Sequence, residues 1–246
     1  MKNKTILITG GTTGIGLATA QLLAADGAKV IVTGRNPDTL AAAQRALPAG
    51  TVVLKSDAGS LADAQALGAE VKKHAATIDG AFLNAGVASF APLEAATPEQ
   101  YAHMFDINVR GLFFQLQSLL PVLANPSAVI LTASIAGSGS MAGASLYSAT
   151  KAAVMSFGRT LAVELAPRGI RLNTISPGPI ETPIFGKTGL PEEAMKGFEQ
   201  QIVSQSLLKR MGTADEVAKL ARFLLSEDSS NIVGAEFIID GGVRLS

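Results

Sequence analysis

Cysteine is absent from the 246 residues, which excludes disulfides and cysteine-ligated metal sites and fits a reducing compartment. Charge is scarce as well: 16% of residues are Asp, Glu, Lys or Arg, and the 20 basic and 20 acidic residues cancel. No run of Lys or Arg forms the electrostatic footprint that a nucleic acid or an acidic membrane demands. Small metabolites are the expected partners, with no nucleic acid, no membrane and no metal site. The chain also lacks internal repeats, low-complexity tracts and an evident linker. Met1-Lys2-Asn3-Lys4 passes straight into an apolar run, with no leader-like h-region and cleavage site, so the cytoplasm is the expected location. Between Arg110 and Lys151 no residue is charged. Pro121, Asn125-Pro126 and the Ser/Gly cluster from Ser134 to Ser148 interrupt that span, so a buried strand and two core helices explain it better than a membrane helix.

What the chain does have is apolar content, 48%, enough for one sizeable core, and residues 1–246 are expected to form a single domain. Strand and helix patterns alternate. Ile6-Leu7-Ile8, Lys29 to Thr33, Thr51 to Leu54, Ile78 to Leu83, Ala128 to Thr132, Ile170 to Ile175 and Glu236 to Ile239 read as strands. Helices are expected from Leu17, from the Asn36-Pro37 cap to Leu47, after a Ser60 cap, from Thr97-Pro98 towards Leu123, from Ser145 to Ala166, and from the capping box Thr213–Glu216 to Leu225. Gly27 sits where a helix C-cap glycine would. This alternation predicts an α/β fold with a parallel sheet covered on both faces by right-handed crossovers. The Gly- and Pro-rich segment from Gly178 to Met211 shows no strand pattern and is long for a connection, so a substrate lid with short helices is expected at about 179–211.

Two stretches carry chemistry. Thr9-Gly10-Gly11-Thr12-Thr13-Gly14-Ile15-Gly16 reads as strand, glycine turn, helix. Glycines there let the backbone come close to a diphosphate whose charge meets the amides of a helix N-terminus. The spacing, G-x-x-x-G-x-G, differs from the G-x-G-x-x-G dinucleotide fingerprint, and a glycine turn after a strand equally describes a plain tight connection. The second stretch is Tyr147-Ser148-Ala149-Thr150-Lys151. Tyrosine and lysine one helical turn apart share a face, and a close ammonium would lower a tyrosine's pKa from its usual value near 10. The pair alone equally describes surface neighbours. Ser134 ends the Val129-to-Ala133 run, at the carboxyl edge where open α/β sheets bind ligands, and its hydroxyl would hold a substrate carbonyl. Asn108, an amide in an otherwise apolar helical stretch, reads either as functional or as a satisfied core group.

Taken together, Thr9-Gly10-x-x-x-Gly14-Ile15-Gly16, Asn84-Ala85-Gly86, Asn108, Ser134, Tyr147-x-x-x-Lys151 and Pro177-Gly178 resemble, in order and spacing, the short-chain dehydrogenase/reductase family, over essentially the whole chain. The resemblance implies a doubly wound (Rossmann) seven-stranded parallel sheet that binds a nicotinamide dinucleotide, with a catalytic tetrad on Asn108, Ser134, Tyr147 and Lys151. It implies that Ser134 orients a carbonyl, that Tyr147 gives it a proton as hydride arrives, and that Lys151 binds the ribose and lowers the tyrosine pKa. Asn108 is implied to hold a water in the proton relay. Leu83 stands where the family has a further asparagine. Cofactor contacts are implied for Gly10, Thr12, Thr13, Gly14, Ile15, Gly16, Asp57, Ala58, Asn84, Ala85, Gly86, Pro177, Gly178 and Ile180, with Thr182 on the nicotinamide carboxamide.

In dinucleotide folds an acidic residue after the second strand binds the adenosine 2′-hydroxyl. This chain has Gly34, followed by Arg35 and Asn36, so nothing repels a 2′-phosphate and a guanidinium stands ready for it; NADP(H) is expected over NAD(H). The pocket is expected from Val87 to Leu93, from Ile135 to Leu146 and from the lid, including Val87, Ile135, Ala136, Met141 and Phe185, with Met195 and Phe198 nearby. Those residues are mostly small or apolar, which suits a hydrophobic ketone or its secondary alcohol. A 3-oxoacyl-carrier-protein reductase is the alternative, disfavoured because Leu123 to Ala128 offers no basic docking residue. A nucleotide sensor without turnover is a second alternative. A homotetramer is expected, as is common in the family.

Overall fold

The computed structural model describes residues 1–183, 197, 200, 201 and 203–245. Its main sheet has seven strands in the order β3-β2-β1-β4-β5-β6-β9, all parallel. These are β1 (Thr5–Thr9), β2 (Lys29–Gly34), β3 (Val52–Lys55), β4 (Ile78–Leu83), β5 (Leu123–Thr132), β6 (Ile170–Pro177) and β9 (Glu236–Ile239). The order reverses at β1, which pairs with β2 on one side and β4 on the other. The carboxyl ends of β1 and β4 therefore open a crevice at the switch point.

Alternation along β1 shows why the sheet needs cover on both faces. Leu7 packs on one side with Leu67, Leu116 and Val154, from helices α3 (Leu61–Lys72), α5 (Leu112–Leu119) and α6 (Ser145–Leu165). Ile6 and Ile8 pack on the other with Leu23 and Leu224, from α1 (Gly14–Ala25) and α7 (Ala214–Leu225). Phe82, fully buried on the α1/α7 face, contributes on the order of 2–3 kcal/mol by leaving water. Local signals hold at the helix starts. Asn36 caps α2 (Pro37–Ala46), Ser60 caps α3, Thr97 caps α4 (Pro98–Phe105), and Thr213 with Glu216 forms a complete capping box on α7.

The long helix expected from Thr97-Pro98 is present, and two other expectations need correction. The helix runs without interruption to Leu119 and carries a π-helical turn inside it: α4 ends at Phe105, the π turn spans Asp106–Gly111, and α5 continues to Leu119. The wider turn lets Gly111 lie directly against the backbone of Ala58, where a Cβ would overlap the Ala58 carbonyl. Strand β5 begins at Leu123, not Ala128, because Leu123 pairs with Ile78 before a register shift near Gly80. The Gly178-to-Met211 segment is not free of strand either: β7 (Ile180–Glu181) pairs with β8 (Gly212–Thr213), joining its two ends. Phe185, Met195 and Phe198, and with them much of the expected lid, lie outside the described residues. Among the described residues no helix is long and apolar enough to cross a membrane.

Candidate active site

A cleft of about 1300 Å³ runs along the carboxyl edge of the sheet from Arg35 to Ser134 and Met141. Its floor is the loop between β1 and α1. Gly10 and Gly14 have φ of +63° and +53°, conformations costly for a residue with a Cβ. At Gly16 a Cβ would overlap the Gly10 carbonyl oxygen and sit 2.7 Å from the Asn84 amide nitrogen, so the loop closes only with glycine there. Helix α1 begins in this loop with no side-chain cap and no acidic residue in its first turn, unlike α2, α3, α4 and α7. Its positive end is left for an anion.

Buried Thr9 clamps the crevice. Its hydroxyl accepts from the backbone N–H groups of Asn84 and Ala85, both at 3.1 Å, while the Asn84 side chain donates to the carbonyls of Thr9 and Gly10. At the far end, the space where an acidic side chain at Gly34 would start is filled by Thr12: a Cβ there would lie 2.7 Å from its methyl and 2.9 Å from its hydroxyl. The Thr12 hydroxyl also meets that of Thr39 at 3.2 Å. Arg35 points an Nη1 at the Asp57 carboxylate, 3.5 Å away.

Ser134, Tyr147 and Lys151 converge opposite this loop. Ser134 follows β5; its Oγ accepts from the Ala136 N–H at 3.2 Å and donates to the Pro177 carbonyl at 3.4 Å. Tyr147 lies partly buried in the cleft wall, in contact with the Ser134 hydroxyl and edge-on to Phe90 at 5.9 Å. Lys151, one turn further along α6 and 5% exposed, donates to the Thr132 carbonyl at 2.9 Å, and its Nζ stands 5.8 Å from the Tyr147 ring centroid. Burial lowers its pKa from 10.5 to about 8, which still leaves it largely protonated at neutral pH.

The tyrosine departs from expectation. Burial pushes its hydroxyl above the ordinary value of 10, the Ser134 hydrogen bond only partly opposing it. Desolvation of the phenolate is the larger effect; the lysine ammonium donates to the Thr132 carbonyl and stands 5.8 Å from the ring centroid. Asn108, in the π-helical turn, has its amide satisfied by protein groups. Its Nδ2 donates to the Val87 carbonyl (2.9 Å) and the Thr150 hydroxyl (3.1 Å), and its Oδ1 accepts from the Val87 N–H (2.9 Å). Both amide hydrogens are committed, so any water at this residue would meet only acceptor atoms.

Of the residues singled out from sequence, Thr12, Thr13, Ile15, Asn36, Ala58, Ala85, Gly86, Gly178 and Ile180 line the cleft with those above, as do Val87, Ile135, Ala136, Met141 and Thr182. Gly16 and Asn108 lie behind its wall, and Phe185 is outside the described residues. Phe90 falls in the expected Val87-to-Leu93 pocket stretch, whereas sequence reasoning gave no individual role to Thr9, Thr39, Thr150 or Arg244. Thr150 was legible, because a hydroxyl three residues after Tyr147 reaches its carbonyl on a helix, at 2.7 Å here. The others depend on contacts between distant segments.

A family model described as enoyl-(acyl carrier protein) reductase matches residues 10–244. An oxidoreductase of Sarocladium schorii is 38% identical over 245 residues, covering 99% of this chain and 96% of that protein. A short-chain dehydrogenase/reductase from Brucella melitensis, described as a glucose/ribitol dehydrogenase, superposes with a TM-score of 0.91 at 31% identity, covering 99% of this chain and 97% of that one. This chain belongs to the short-chain dehydrogenase/reductase family. The crystal structure of levodione reductase, another member, superposes with a TM-score of 0.90 at 32% identity over 100% of this chain and 99% of its own. As a short-chain dehydrogenase/reductase the chain is an oxidoreductase, and the family implies a nicotinamide cofactor. The residues present fit such a cofactor. The uncapped α1 N-terminus suits a diphosphate, the cleft is long enough to run from Arg35 to Tyr147, and buried Ser56 Oγ, on the same wall, has no partner among the described residues.

Proposed function

We propose that this enzyme interconverts a hydrophobic ketone and its secondary alcohol, using NADP(H) in preference to NAD(H). The observation that carries the reading is the meeting of Ser134, Tyr147 and Lys151 at the mouth of the nucleotide crevice. The nicotinamide supplies or accepts the hydride. Gly10 to Ile15, Asn84 to Gly86, Pro177, Gly178, Ile180 and Thr182 hold the cofactor, with Asp57 and Ala58 at its adenine end. Arg35 and Asn36 face the 2′-phosphate, supported by the absence of an acidic residue at Gly34 and by Thr12 filling the space one would need.

In the reduction direction Ser134 and Tyr147 hydrogen-bond the substrate oxygen. Burial keeps the Tyr147 proton in place until the oxygen gains negative charge and takes it. Cationic Lys151 then stabilises the phenolate left behind, more strongly for being out of water. Asn108 acts as a positioning residue, tying Val87 on the substrate side to Thr150 on the helix that carries Tyr147. Val87, Ile135, Ala136 and Met141 form the apolar wall. We further propose a homotetramer, supported by the exposed Val163 on α6 and by the exposed Ile238 and Leu245 near the C-terminus.

The test is steady-state oxidation of NADPH and NADH against hydrophobic ketones, diketones, sugars and an acetoacetyl thioester, with Tyr147→Phe as control. NADPH-dependent ketone turnover, lost in the variant, is the expected result. Turnover confined to the thioester would favour reduction of a carrier-bound acyl group, the reading closest to the description of the family model. Tight NADPH binding with no turnover of any carbonyl would favour a sensor.

A further inference from the structure

The substrate end of the cleft carries a cation whose charge nothing so far uses. After β9 the chain turns at Asp240, whose carboxylate accepts from the N–H groups of Gly242 (2.8 Å) and Arg244 (2.9 Å). The turn is also tied to the segment before β8, the Leu207 N–H donating to the Gly241 carbonyl at 3.0 Å. This folds Arg244 back onto the cleft, where its Nη1 reaches the Ser138 hydroxyl at 3.4 Å, across 106 residues of sequence. Among the described residues no carboxylate forms an ion pair with it.

The charges along the cleft are unevenly placed. Among the described lining residues the only acid is Asp57, and it faces Arg35 at the adenine end. Lys151 is buried and bonded to Thr132. Arg244 is exposed at the opposite end and meets only a neutral hydroxyl, with the Gln205 amide on the same lining. Ser138 lies four residues beyond Ser134, across the 3-10 turn Ile135–Gly137.

We propose that Arg244 binds an anionic group, a carboxylate in the first instance, at the far end of the substrate from its reacting carbonyl. A planar guanidinium matches a carboxylate bidentately. The substrate class becomes a ketone with an apolar middle and an acidic end, several bonds from the carbonyl. This rests on the ketone-reductase reading above and narrows it.

The test compares a homologous series of methyl-ketone carboxylic acids with their methyl esters as substrates, in the wild type, Arg244→Gln and Arg244→Lys. In the wild type kcat/KM should favour the acid over its ester at the best-fitting length. Arg244→Gln should cut kcat/KM for the acid about 10- to 100-fold, mainly through KM, and change the ester less than about threefold. Arg244→Lys should retain part of the preference, and added salt should weaken it. Esters turned over as well as or better than acids by the wild type, or an equal loss for both in Arg244→Gln, would overturn the assignment while leaving the reductase reading intact. No turnover of acid or ester with either cofactor would overturn the reductase reading, and this assignment with it.

Discussion

Removing the Arg35 side chain should separate the two cofactors. Its ion pair with Asp57 is 3.5 Å long and both partners are well exposed, 50% and 36%, so the pair itself contributes no more than about 1 kcal/mol to folding. Arg35→Ala should leave thermal stability nearly unchanged. Against a bound 2′-phosphate the loss is larger. Charge-assisted hydrogen bonds are worth about 1.5–3 kcal/mol, and an unpaired Asp57 adds repulsion of up to about 1 kcal/mol through water. A total of about 1.5–4 kcal/mol corresponds to a rise of roughly 12- to 900-fold in Kd for NADPH, while NADH should change less than about threefold. Fluorescence titration of both cofactors at two ionic strengths measures this directly. Adding Asp57→Asn should recover part of the NADPH affinity if the repulsion is real. Equal weakening of both cofactors, or tighter NADH binding by the wild type, would refute the role given to Arg35.

Three further outcomes are expected. Gly16→Ala forces a Cβ onto the Gly10 carbonyl and the Asn84 amide; an overpacking cost of about 1–3 kcal/mol should appear as a lower urea midpoint, with cofactor affinity down about tenfold or more. Asn108→Ala strips the Val87 N–H and carbonyl of their partner, at about 1–3 kcal/mol for each buried group left unsatisfied; its melting temperature should fall clearly, and an unchanged one would remove Asn108 as the tie between Val87 and α6. Lys151 gives a pH signature in the cofactor-free protein. Its folded pKa is depressed from 10.5 to about 8, so between those values the unfolded chain holds the extra proton and stability rises with pH, by up to about 3 kcal/mol. Urea unfolding across that window should show the rise in the wild type and lose it in Lys151→Met. The raised Tyr147 pKa opposes it only at the upper end, where an unfolded tyrosine ionises first.

Local chemistry was legible from the amino acids alone. Asn36, Ser60, Thr97 and Thr213 cap helices because a short polar side chain reaches an amide two or three residues on, whatever surrounds it. Alternating strand and helix patterns required a parallel sheet covered on both faces, and the seven-stranded order matches. Motif spacing named Ser134, Tyr147 and Lys151, because helical periodicity and a strand's carboxyl end are also local properties. The π-helical turn at Asp106–Gly111 inside the α4–α5 helix was not legible, since it accompanies the meeting of Gly111 with Ala58 across the fold. The direction of the Tyr147 pKa depends on the desolvation summed over its neighbours, against a single opposing hydrogen bond with Ser134. Thr12 in the space beside Gly34, Thr9 clamping β4 and Arg244 at Ser138 likewise join residues far apart in the chain. The sequence by itself determined most of the elements, their caps and the candidate residues Ser134, Tyr147 and Lys151. Only the tertiary structure decided their protonation, their partners and the charge at the substrate's end of the cleft, because those are set by distances between segments that sequence spacing does not encode.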